Sequence, residues 1–232
     1  MKIRWIFYAI TCVLAFCSIL YELVLAQSLS AFLENTVLRY SVTIGLYMSS
    51  MGFGSMFAEG RFLKKPVVTL LTVETLLTLM GGFSVIWLFL IDAAASSTIV
   101  LWLAAHVLII VIGVLTGFEM PLLIEILRTR GRPDSEGIVF AFNYAGAFLG
   151  TVLFAFWFYP WVGLLSSSLW GGLLNITTGL LLLLLLNQSE MERQGSDYYY
   201  FLTVQGLIWL LIIVCLIFNT AIYTRLMGYY LQ

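Results

Sequence analysis

The chain has 232 residues, of which 62% are hydrophobic, 16% aromatic and only 10% charged, and its net charge is −1. Mean hydropathy is +1.03. Soluble domains carry about 25% charged residues, so this composition excludes a soluble globular enzyme and a disordered chain. The near-zero charge excludes a nucleic-acid binder. What remains is an all-α polytopic membrane protein, a single transmembrane domain over 1–232.

A span needs about 20 apolar residues. Seven segments qualify, which predicts about seven transmembrane helices at 5–27, 40–58, 67–91, 98–127, 138–160, 164–186 and 201–223. The first is long and carries Glu22, so it does not read as a cleavable signal. The second sets small residues on helical faces through Gly45, Ser49, Ser50, Gly54 and Ala58. Such residues let helices approach closely in lipid. The third carries Glu74 among Thr69, Thr72, Thr75 and Thr78.

The fourth segment is some 30 residues long, or about 45 Å of helix, longer than the hydrocarbon core. Gly113, Gly117 and Pro121 interrupt it around Thr116 and Glu119. Pro121 cannot donate to the Gly117 carbonyl, so a kink is expected there. His106, higher on this segment, reads as a hydrogen-bonded packing residue. The fifth carries Asn143, Tyr144 and the pair Gly146 and Gly150, the sixth Asn175 and the seventh Gln205. Cys12, Cys17 and Cys215 lack zinc-ligand spacing and read as apolar filler. No metal or cofactor is expected.

Nine of the eleven basic residues fall before the first span or in alternate loops; only Arg39 and Arg225 lie on the other side. Positive charge marks the cytoplasmic side. The N-terminus is therefore expected in the cytoplasm and, with seven spans, the C-terminus outside.

At an offset of 97 residues, Tyr21-Glu22 falls on Phe118-Glu119 and Tyr47 on Tyr144. Residues 1–95 and 98–190 then form two three-span units crossing the bilayer in opposite senses, a three-plus-three inverted repeat, with 201–223 as an extra helix. Inverted repeats underlie many secondary transporters.

Ionisable groups at membrane depth face protein or water. Glu22, Glu74 and Glu119 have no Lys or Arg at matching depth in the sequence. Protons, a metal ion or an organic amine would neutralise them. The sequence has no nucleotide-binding glycine loop, no H-E-x-x-H, no G-x-S-x-G and no nucleophile–base pair, so the chain reads as non-enzymatic.

Four stretches carry a resemblance: SILYELVLAQ at 18–27, NTVLRYSVTIGLYMSSMGFGS at 35–55, GFEMPLL at 117–123 and FNYAGAFLGTVLF at 142–154. Together they resemble the membrane domain of spermidine synthase-like membrane proteins. The last is similar to that family's D-Y-x-G-A-L-x-G, with Asn143 in place of the Asp. Many members continue into a soluble aminopropyltransferase-like domain, and Gln232 falls about where that domain would begin, so a membrane part without the catalytic domain is expected. The unmatched acids, read beside this resemblance, lead us to expect a multi-pass inner-membrane protein that binds or transports a small cation, a polyamine in particular. Glu22, Glu74 and Glu119 would hold the cation, and Asn143 with Tyr144 would line the site. The alternative is a non-catalytic anchor or subunit for a soluble aminopropyltransferase-like partner. A homodimer is expected because seven spans are few for a monomeric transporter.

Overall fold

The computed structural model describes residues 2–33, 35–60, 62–94, 97–130, 136–185, 191 and 197–228. All its regular structure is helical. The helices are α1 (Lys2–Leu33), α2 (Thr36–Phe57), α3 (Pro66–Leu77), α4 (Ser84–Ala94), α5 (Thr98–Thr129), α6 (Glu136–Leu153), α7 (Leu164–Leu185), α8 (Tyr198–Ile217) and α9 (Asn219–Gly228). Two π-helical segments, Thr78–Gly82 and Phe154–Val162, follow α3 and α6. Helices satisfy every backbone group internally, which lipid demands.

Five described helices are long and apolar enough to cross a membrane, and six if α3 and α4 form one bent span. The expected count of seven is thus not reproduced by length and apolarity. The shortfall is α2, which is 22 residues long but diluted by Ser, Thr and Gly. Large apolar side chains remain exposed around the bundle, among them Val107, Leu184, Leu207 and Ile217. A surface of this kind suits hydrocarbon and not water.

α1 sits at the centre, buried along most of its length. It packs chiefly on α6 and α7, while α5 packs chiefly on α2 and α3. Glycine makes both main contacts. A Cβ at Gly54 or Gly117 would collide with the Val114 or Met51 carbonyl, and one at Gly146 with the Cys12 carbonyl. The small-residue reading therefore holds on one face of α2, through Ser50, Gly54 and Ala58. Gly45 has open space around it, and Ser49 is exposed.

Pro121 lies inside α5, which runs unbroken from Thr98 to Thr129. The helix is not broken there. The Gly117 carbonyl that Pro121 cannot serve accepts instead from the Ser55 hydroxyl of α2 at 2.8 Å. The break occurs in the third segment, where the chain bends by 51° between Gly82 and Ser84. There the Trp87 indole N–H donates to the Leu79 carbonyl at 3.0 Å, satisfying an acceptor at the bend.

Two substitutions test the backbone contacts. Gly54→Leu and Gly146→Leu each force a side chain against a carbonyl that cannot swing away, and are expected to cost about 1–3 kcal/mol or more. Gly45→Ala should leave the thermal midpoint in detergent unchanged or slightly raised. Equal midpoints for all three would refute the packing.

Candidate functional site

The approach of α1, α2 and α5 gathers Ser18 from α1, Tyr47 from α2, and Thr116 and Glu119 from α5. Ser18 donates to both carboxylate oxygens of Glu119, at 3.1 and 3.0 Å. Tyr47 donates to the Ser18 carbonyl at 3.0 Å and lies 2.9 Å from the Thr116 hydroxyl. With the tyrosine proton committed to the carbonyl, Thr116 is the donor of that second bond. Thr116 and Glu119 are three apart on α5, so both project from one helical face. Glu119 is 3% exposed.

A second cluster lies around Glu74 on α3, itself buried. The Asn175 amide of α7 donates to the Glu74 carbonyl at 3.0 Å and to Thr78 at 3.1 Å. The Gln205 amide of α8 donates to Thr75 at 3.1 Å and to the Leu71 carbonyl at 3.4 Å. These amides tie α7 and α8 to α3. Tyr21 of α1 is also buried. Its ring rests on Gly81, where a Cβ would come within 2.8 Å of it.

The two Glu74 carboxylate oxygens, the Tyr21 hydroxyl, and the side-chain carbonyls of Asn175 and Gln205 are buried without a hydrogen-bond partner. All but the hydroxyl are pure acceptors when Glu74 is ionised. The lysines and arginines whose side chains are described, Arg39, Lys64, Lys65, Arg128, Arg130 and Arg225, lie in the first or last turn of a helix or beyond its end. A ligand rich in N–H donors and positive charge is the chemical complement of such a site.

The predicted site residues separate. Glu22, Glu74 and Glu119 are all buried. Asn143 is half-buried. Tyr144 is 68% exposed and lies beside Phe140. His106 bonds the Trp102 carbonyl of its own helix at 2.6 Å, as a packing residue does. Sequence reasoning missed Ser18, Tyr21, Tyr47 and Gln205 as site members. The available signal was a hydroxyl three or four residues from each acid: Ser18 before Glu22, Thr116 before Glu119 and Thr78 after Glu74.

Over 211 residues the chain is 30% identical to the polyamine aminopropyltransferase of Oceanobacillus iheyensis, covering 89% of this chain and 40% of that protein. It is 33% identical over 183 residues to polyamine aminopropyltransferase 1 of Streptomyces coelicolor, covering 77% and 34% respectively. It is 34% identical over 165 residues to polyamine aminopropyltransferase 2 of Ralstonia nicotianae, covering 70% and 32%. Over most of its own length, then, the chain is similar to polyamine aminopropyltransferases. It spans about two fifths or less of the length of these relatives. No protein-family model matches the chain. No solved structure matches it.

These names overturn the reading of the chain as a cation carrier or non-catalytic anchor, and with it the classing as no enzyme. They are names of enzymes, and nothing in them supports transport. The physical reason for the miss is plain. The motif search looked for protein nucleophiles and metal ligands, whereas in aminopropyl transfer the amine acceptor is itself the nucleophile.

The two acids differ in their partners, and this predicts opposite stability effects. Glu74→Met removes unpartnered buried oxygens and should leave the melting point equal or higher. Glu119→Met strips Ser18 of its acceptor and should destabilise by about 1 kcal/mol. Thermal melts in detergent read both, and the reverse order would refute the assignment of partners.

Proposed function

We propose that this chain is the membrane-spanning part of a polyamine aminopropyltransferase, and that its buried carboxylates receive the amine substrate. The observation that carries the proposal is the similarity over 70–89% of the chain to enzymes bearing that name. The acceptor-rich interior supports the second half. A polyamine presents N–H donors and positive charge, which Glu119, Glu74 and Glu22 would pair. An amine attacks only as the free base, so a carboxylate beside it also serves as a proton acceptor. Asn143 and Tyr144 are left outside the proposed site, because Tyr144 points away from the acids' interior.

We further infer seven spans, with α2 as one of them. Its low hydropathy comes from the glycine and serine face that α5 covers, and its other face exposes Val42, Met48, Phe53 and Met56. The reciprocal packing of α1 on α6 and α7, and of α5 on α2 and α3, supports the inverted repeat. The distribution of basic residues supports a cytoplasmic N-terminus and an outer C-terminus in a bacterial inner membrane.

Cells expressing the protein and fed isotope-labelled putrescine should form a labelled amine longer by one aminopropyl unit, above a vector control. Glu119→Gln should lower that yield about tenfold or more at equal protein level. No product above the control would sink the enzymatic reading. Full yield in Glu119→Gln would sink the role of the carboxylate alone.

A further inference from the structure

A cavity of about 770 Å³ lies between the last turns of α1, α4, the junction of the second π segment with α7, and the start of α9, and shares no described lining residue with either cluster. This size falls within the range of small-molecule sites, about 300–1,000 Å³. Its depth in the bilayer follows from the chain. Phe32 is next to the end of α1, Gly163 is the turn from the π segment into α7, and Asn219 opens α9. Helix ends lie at the membrane interface. Trp157 and Trp161, 59% and 82% exposed just before that turn, mark the same level, where tryptophan accumulates.

The wall is apolar through Phe32, Val85, Phe89 and Leu165, and none of the described residues lining it is charged. Its polar members include Ser28, Asn219, Thr220 and Tyr223. Ser28 is 1% exposed and its hydroxyl has no partner. The Thr220 hydroxyl already donates to the Asn219 side-chain carbonyl at 3.1 Å. What the wall offers a ligand is therefore hydroxyl and amide donors beside a greasy chamber.

We propose that this cavity is a lipid site that takes an acyl chain of an ester-linked bilayer lipid. The ester carbonyls, pure acceptors that sit at the interface, meet the donors of Ser28, Asn219 and Tyr223. The hydrocarbon fills the space between Phe32, Phe89 and Leu165. A free fatty acid shares the chain but brings a carboxylate, for which the wall has no cation. The site is independent of the aminopropyltransferase reading.

The test reconstitutes the protein in phosphatidylcholine nanodiscs doped with phosphatidylcholine carrying a diazirine in one acyl chain. Irradiation and peptide mapping should label the cavity segments 28–32, 162–166 and 219–223 several-fold more than the lipid-facing residues Val107 and Leu207. Ala31→Trp and, separately, Thr220→Trp should bring that excess down to the level of Val107. Uniform labelling in the unaltered protein, or an excess that neither variant reduces, would overturn the site. A diazirine fatty acid in the same nanodiscs should give no excess. An equal excess from it would overturn the assignment to an ester lipid.

Discussion

Direct contact between helix backbones sets how closely the helices of this bundle approach one another. Gly54 and Gly117 bring α2 against α5, and Gly146 brings α6 against α1. With no side chains between α2 and α5, their axes come close enough for a hydroxyl as short as Ser55 to reach the Gly117 carbonyl of the facing helix. In hydrocarbon there is no hydrophobic drive between helices, and packing plus hydrogen bonds must hold them together. The glycines supply the packing and thereby set the geometry of the bonds.

The same contacts dispose of two irregularities that the helices carry. Pro121 deprives the Gly117 carbonyl of its donor, and α2 is near enough for Ser55 to replace it. The helix therefore need not break at Glu119. The π segment at Thr78–Gly82 places Gly81 under the Tyr21 ring and Gly82 against Gly172. π-helical turns recur at functional sites, and this one adjoins the cluster around Glu74.

Much of this was legible in the sequence. Apolar runs located the helices, and the absence of matching cations singled out Glu22, Glu74 and Glu119, all of which are buried. Gly146 and Gly150 also held information about Tyr144 that the repeat alignment did not use. Tyr144 is two residues from Gly146, or about 200° around the helix, so a glycine face turned to α1 sends the tyrosine outward. The bend at Gly82 was less legible than the proline at 121, because proline announces a missing donor while a π turn leaves no single-residue mark. Partners such as Ser18 for Glu119 depend on the register between helices 101 residues apart, which no local pattern encodes. The enzymatic connection lay in likeness to longer proteins, not in motifs within these residues.

Calorimetric titration of the purified protein with spermidine tests the central claim, that the glycine-packed interior presents carboxylates to an amine substrate. The account predicts saturable binding that is lost in Glu119→Gln and Glu74→Gln proteins that still melt cooperatively. Binding of equal affinity in both variants would contradict it.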